Sequence, residues 1–416
     1  MIARDVMRSI ERTLDQYPVV SVTGPRQCGK TTLLKNMLPD WKYVSLEDPD
    51  VRDMALSDPR EFLRRNSCQV ILDEAQRAPE LFSYVQGIVD ETGRPGQFVV
   101  SGSQNYLLMK NVSQTLAGRV AIVRMSTLTR HEIMAASPHD LARPDSGGDL
   151  LRASIGDRWS WVVAGGYPRL YDYGMSRERY FADYLATYLE RDVREELGVI
   201  KLAEFERFIR LCATRTAEML NVSSLASDAG IDVKTARGWI SALEASGIVF
   251  ELHPHHANMG KRLVKTPKLY FYDTGLACAL LGIRDTEELL AYAKRGNLFE
   301  TAVIAEYLAC AATRDYQHET TYYKKSGNSS EVDLVIEHGV RPACAFEVKS
   351  SSTYRERFFD TIVTLGDELG IGPRCRGVIY NGDASLSVSG KGLLLTPDDI
   401  MGVADETVFP AVQAGD

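Results

Sequence analysis

The chain has 416 residues, 44% of them hydrophobic, and a formal net charge of −8. That length holds two to four domains, and the composition excludes disordered and fibrous classes and a protein that binds polyanions through bulk charge. Any contact with nucleic acid is left to a local basic patch. The cysteines, seven and widely spread without a C-x-x-C pair, read as reduced thiols in a cytoplasm. Residues 1–17 carry charges throughout (Arg4, Asp5, Arg8, Glu11, Arg12, Asp15), and no later apolar run is long enough for a bilayer. Neither a signal peptide nor a membrane span is expected.

In chain order, the first strong pattern is an apolar strand, Val19 to Val22, that runs into Gly24-Pro25-Arg26-Gln27-Cys28-Gly29-Lys30-Thr31-Thr32. Leu33, Leu34, Met37 and Leu38 follow at helical spacing. Strand, glycine loop and helix together make a phosphate-binding loop. Glycines let backbone N–H groups curl round a phosphate, and the helix N-terminus adds partial positive charge. Lys30 would reach the β- and γ-phosphates and Thr31 would hold Mg²⁺ through its hydroxyl, so ATP and Mg²⁺ are the expected ligands. Cys28 is either a tolerated variable position of the loop or a redox-sensitive thiol near a helix start.

A short strand at Tyr43–Leu46 precedes an acidic, proline-punctuated stretch from Glu47 to Arg60. The buried-strand pattern Gln69-Val70-Ile71-Leu72-Asp73-Glu74 then ends in two carboxylates. Asp73 is expected in the Mg²⁺ shell and Glu74 as general base on the attacking water. A third strand, Gln97 to Val100, ends in Ser101-Gly102-Ser103-Gln104, where Ser103 or Gln104 either senses the γ-phosphate or forms a simple turn. Leu116-Ala117-Gly118-Arg119 places an arginine before the strand Val120–Val123, as a surface ion-pair residue or as a finger offered to a neighbouring subunit.

On these four stretches the chain resembles AAA-type ATPases that join a P-loop domain to a winged helix and a C-terminal restriction-endonuclease-like domain. The resemblance implies an α/β core with a parallel sheet, ATP at the edge where subunits meet, and a homo-oligomer, with a hexamer among its forms. The finger role of Arg119 rests mainly on it.

Beyond a proline- and glycine-rich boundary at Ser137–Asp149, the stretch from Val163-Ala164-Gly165-Gly166-Tyr167-Pro168-Arg169 to Tyr180–Glu196 reads as a helical lid. Arg169 is either a second sensor or an ion-pair partner within the lid. Between Glu204 and Val249 two short helices separated by Gly230 make a helix-turn-helix whose second helix shows Lys234, Thr235 and Arg237 outward. A hairpin, Ile248–Leu252 with Lys268–Tyr272, carries Lys261, Arg262 and Lys265 in its connection. A basic wing beside a recognition helix suits duplex or branched DNA. His253, His255 and His256 have no Cys or carboxylate beside them in sequence and read as a solvated turn.

The last third reads as helix (Gly296 onward), three strands, helix (Tyr354–Leu369) and strand (Gly377–Tyr380). Asp333 and Glu347 interrupt apolar strands, Lys349 shares a face with Glu347 by period two, and Glu300 lies on the preceding helix. The three carboxylates are expected to hold Mg²⁺, with Lys349 acting on the water. This stretch resembles PD-(D/E)xK nucleases, with Val332 where the pattern has proline. From Thr396 to Asp416 there are acids but no Lys or Arg, a tail expected to avoid DNA and to be partly disordered.

The domains are therefore expected at 1–149 (ATPase core), 150–203 (helical lid), 204–272 (winged helix) and 273–416 (nuclease-like). Two functions suit them: a cytoplasmic, DNA-associated ATPase, ring-forming, acting on branched DNA and carrying a nuclease-like domain; or a nucleotide-controlled switch or toxin-like regulator whose C-terminal domain binds a partner without cutting.

Overall fold

The computed structural model describes residues 2–102, 115–136, 156–173, 175–188, 201–255, 266–314, 319–324, 330–339 and 341–407. Its first layer is a five-stranded sheet in the order β2-β3-β4-β1-β5, formed by β1 (Val19–Thr23), β2 (Lys42–Ser45), β3 (Val70–Asp73), β4 (Phe98–Gly102) and β5 (Val120–Arg124). Every pairing is parallel. Parallel strands need crossovers that cover both faces, which is why the inner strands β1, β3 and β4 are buried along their whole length while the edges β2 and β5 are not. Alternate residues divide between two cores. Val19, Leu72, Phe98 and Val100 pack with the helix Leu81–Thr92, while Val20, Val22, Ile71 and Val99 pack with the helices Val6–Leu14 and Lys30–Met37.

A single apolar cluster runs from Ile2 and Leu128 through the helices Arg158–Ala164, Arg177–Tyr188, Leu202–Thr214, Val222–Ala229, Val233–Ala245 and Arg295–Ala311. The stretches read as lid, helix-turn-helix and C-terminal domain thus share one core. Asp273 joins them, accepting from the backbone N of Gly166 (2.8 Å) and of Leu276 (3.0 Å). Arg177 donates to the carbonyls of Val163, Gly275 and Ile283. A Cβ at Gly275 would stand 2.5 Å from the Ala164 oxygen, so the approach of these segments requires glycine.

The helix-turn-helix is written in its caps. Asn221 accepts from Ser224 N, Gly230 takes φ 74° after the first helix, and Asp232 accepts from Thr235 N to start the second. Trp239 packs edge-on against Phe205 and Phe208 at 5.1 and 5.3 Å between ring centroids. A three-stranded antiparallel sheet follows, ordered β6-β8-β7, from β6 (Glu218–Met219), β7 (Val249–Leu252) and β8 (Lys268–Phe271).

The second large sheet has the order β13-β14-β12-β11-β10-β9, from β9 (Glu319–Lys324), β10 (Glu331–His338), β11 (Arg341–Lys349), β12 (Arg376–Tyr380), β13 (Leu386–Val388) and β14 (Gly392–Leu395). The helix Arg295–Ala311 covers one face, and Phe359, Ile362 and Leu365 of the segment Glu356–Glu368 cover the other. The expected order of helix, three strands, helix and strand is present, with β13 and β14 added. The first part of the tail is folded onto the rest of the chain. Residues 397–404 form a short helical segment that buries Ile400 and Val403, and Asp398 pairs with Arg130 and Arg158. An acidic stretch thereby finds its cations on the N-terminal half. Among the described residues, no helix is long and apolar enough to cross a membrane.

Candidate functional site

The loop after β1 closes on its own backbone. A Cβ at Gly24 would lie 2.1 Å from the Met125 oxygen, and Gly29 caps the following helix at φ 98°, so both positions need glycine. The Lys30 ammonium is buried and donates to the carbonyls of Gly24 (2.8 Å) and Pro25 (2.9 Å). Cys28 is fully buried, with its sulfur 3.9 Å from Lys30 Nζ.

Thr31 Oγ1 donates to Asp73 Oδ2 at 2.8 Å, across a chain separation of 42 residues. Asp73 also accepts from Tyr43 OH (2.6 Å) and, through Oδ1, from Ser101 Oγ (2.5 Å) and Glu74 N (3.2 Å). Burial, and then the bond to Asp73, raise the Tyr43 phenol above its ordinary pKa. Glu74 has left-handed backbone, φ 52°, rare for a residue with a side chain. Its carboxylate accepts from Gln76 Nε2.

Arg26, Gln27, Gly29, Lys30, Thr31, Thr32 and Glu74 line a cleft of about 710 Å³. Pro168, Arg169, Asp172, Tyr184 and Tyr188 form its other wall, with the Tyr184 and Tyr188 rings stacked at 6.1 Å. The sequence reading missed Arg4. Its buried guanidinium donates to the carbonyls of Cys28 (2.9 Å) and Ser126 (2.8 Å) and pairs with Glu132 (2.9 Å), bracing the loop from beneath. It also missed Ser101, two residues before the expected Ser103. Ser103 and Gln104 lie outside the described residues.

Arg119 stands away from this cleft. It precedes β5 at the end where Val19 pairs with Val120, opposite the loop end of β1, and a five-residue strand spans about 16 Å. Its guanidinium pairs with Asp90 of the same chain.

The second helix of the helix-turn-helix presents Lys234 and Arg237 to solvent, while the Thr235 hydroxyl is engaged by Asp232 at 2.6 Å. Lys261, Arg262 and Lys265 lie outside the described residues, as does His256. His255 corrects the solvated-turn reading. It is buried, and its Nδ1 is 2.9 Å from Glu337, a carboxylate far away in sequence that also accepts from Thr321.

In the C-terminal sheet, Asp333 and Glu347 lie on neighbouring strands, one step beyond the Leu334–Phe346 pair. The three carboxylates expected to hold a metal have a lysine of the chain beside them. Lys268 of β8, only 1% exposed, places its ammonium 3.0 Å from Glu300, 2.9 Å from Glu331 and 3.4 Å from Asp333. Tyr270 OH donates to Glu300 (2.6 Å) and Val348 N to Asp333 (2.9 Å). Glu347 pairs instead with Lys349. Among the described residues, no group of three or more His, Cys, Asp or Glu is placed to hold a metal. Burial pushes Glu300 and Glu347 up to about 7, and Asp333 adds to the shift at Glu300. Lys268 is raised above its ordinary value by the three carboxylates, against the opposing effect of burial.

The parallel sheet, the glycine loop and the Thr31–Asp73 pair are those of a P-loop ATPase domain. A family model described as an AAA domain matches residues 16–134. Two domains of unknown function, DUF8612 and DUF4143, match 156–287 and 295–397. The chain belongs to the same family as the uncharacterized proteins Rv2008c of Mycobacterium tuberculosis and Mb2031c of Mycobacterium bovis. It is 33% identical to each over 355 residues, 84% of this chain and 74% of theirs. Among solved structures, the Walker-type ATPase PABY2304 of Pyrococcus abyssi is similar at 14% identity and a TM-score of 0.44, over 67% of this chain and 96% of that one. A RuvB variant of Thermotoga maritima is similar at 18% identity and a TM-score of 0.30, over 60% and 89%.

Proposed function

We propose that the chain hydrolyses ATP with Mg²⁺ in the cleft and couples the cycle to DNA held by the helix-turn-helix, which with its hairpin forms a winged helix. The observation that carries the hydrolytic reading is the Thr31–Asp73–Ser101 network beside Glu74. Hydroxyl and carboxylate oxygens are the hard donors that Mg²⁺ takes, so Thr31 and Asp73 fit the ion. When bound, Mg²⁺ supplies electrophilic stabilisation of phosphate charge. Lys30 exchanges the Gly24 and Pro25 carbonyls for phosphate oxygens. Glu74 takes the proton of the attacking water, and its fixed left-handed backbone aims the carboxylate into the cleft. Arg169, on the facing wall, meets the nucleotide as a second sensor.

The DNA reading is supported by the two exposed cations, Lys234 and Arg237, and by packing: a Cβ at Gly247, just after their helix, would stand 3.3 Å from Cδ of Pro25 in the phosphate loop. A change in the loop is therefore felt at the helix end. Arg119 lies too far from its own cleft to serve it, which suits a homo-oligomer, a ring, in which it acts on the neighbouring subunit. The C-terminal sheet is read as a nuclease-like fold kept for binding. The test is ATP turnover with no DNA and with duplex, single-stranded or four-way DNA. Multiple turnovers accelerated by one DNA form support the reading. Slow turnover indifferent to all of them sinks the DNA part and leaves a nucleotide switch.

A further inference from the structure

We propose that Lys268 is the resident cation of the C-terminal carboxylate cluster, so that the cluster fastens the hairpin to the second sheet and takes no divalent metal. The ammonium lies within 3.4 Å of Glu300, Glu331 and Asp333, and its side chain is 2% exposed. A divalent ion needs several oxygen lone pairs facing one point. Here N–H and O–H donors face that point instead. Glu300 Oε1 receives Lys268 and Tyr270, Glu331 Oε1 receives Lys268, and Asp333 receives Lys268 on Oδ1 and Val348 N on Oδ2. One oxygen, Glu347 Oε2, is buried without a hydrogen-bond partner, and its other oxygen is held by Lys349. The point that Glu300, Glu331 and Asp333 share is already taken by the ammonium, a cation the chain itself supplies.

The same hairpin is tied to the sheet elsewhere. Pro254 bridges to Tyr322, the Tyr322 hydroxyl donates to Thr266 O at 2.7 Å, and His255 meets Glu337. Lys268 also lies 5.5 Å from the Tyr322 ring centroid. Both hairpin strands are therefore anchored to the sheet. Removing one partner of a buried ion cluster leaves uncompensated charge, so the clamp is costly to open.

The test uses the full-length protein without nucleotide, so it does not depend on the ATPase reading, with Mn²⁺ as the probe. In the wild type, Mn²⁺ should give no saturable rise in Tm that Asp333→Asn removes. Acylation followed by mass spectrometry should label Lys268 more than about tenfold more slowly than exposed Lys234, with or without Mn²⁺. Lys268→Met should lower Tm and acquire a Mn²⁺-dependent stabilisation that the further change Asp333→Asn removes. The proposal is overturned if Mn²⁺ stabilises the wild type in a manner abolished by Asp333→Asn. It is equally overturned if Mn²⁺ speeds Lys268 labelling, because a metal would then displace the lysine. Should Lys268→Met not fold, the wild-type labelling and Tm titrations decide alone.

Discussion

Two aspartates on strands, Asp73 at the end of β3 and Asp333 near the start of β10, make an instructive pair. Asp73 is surrounded by hydroxyls of Thr31, Tyr43 and Ser101, beside an open cleft. A hydroxyl rotates and can turn a lone pair toward an incoming cation. Asp333 is held by an ammonium and a backbone N–H, which only donate. The same residue type on the same kind of element thus faces opposite chemistry, and the neighbours decide which. A strand ending in acids locates a site without saying whether the cation comes from solvent or from the chain.

The comparison breaks most sharply at the phosphate loop. Lys30→Ala should abolish nucleotide binding, while Glu74→Gln should retain binding and lose about 10²- to 10⁴-fold in turnover, because one contacts phosphate and the other acts on water. Fluorescent-nucleotide affinity and steady-state turnover separate the two, and equal loss of affinity would refute the assignment. In the other cluster, Asp333→Asn should leave basal turnover unchanged.

Arg119→Ala should keep nucleotide affinity and lower turnover by about 10³-fold or more, the worth of an arginine supplied in trans. Mixing Arg119→Ala subunits with Lys30→Ala subunits should restore part of the rate through interfaces that join an intact loop to an intact arginine. If native mass spectrometry shows mixed assemblies and no rate returns, Arg119 serves only its pair with Asp90.

The C-terminal cluster should show itself through pH. Glu300 and Glu347 have pKa values raised to about 7, above those of an unfolded chain. The folded state then binds more protons than the unfolded one between about pH 4.5 and 7, so their contribution to stability is present in acid and lost as pH rises through that window. Tm measured across it should fall with rising pH, and Glu347→Gln should flatten the slope. An unchanged slope in the variant would place the titration elsewhere.

The smallest effect is expected at Ser101→Ala. Loss of its bond to Asp73 should cost about 1 kcal/mol in denaturant unfolding and reduce turnover without preventing binding. Turnover indistinguishable from wild type would make Ser101 purely structural.

Much of this protein is legible along the chain. The loop from Gly24 to Thr32, the run from Val70 to Glu74 and the caps Asn221, Gly230 and Asp232 are local patterns, because glycine freedom, strand burial and helix capping act within a few residues. Strands, the two short helices and the hairpin are read from such patterns, whereas the parallel order of the five strands was implied only by the resemblance. What the tertiary structure alone decided lies in pairs far apart in sequence. Arg4 meets Glu132 across 128 residues, His255 meets Glu337 across 82, and Lys268 meets Asp333 across 65. No periodicity marks such partners, because a buried charge is stabilised by whatever the folded chain brings beside it. Lys268 and Tyr270 stand two apart on one hairpin strand, and both reach Glu300. The carboxylates that await a metal in the linear reading are, in three dimensions, neutralised in part by a lysine of the chain itself.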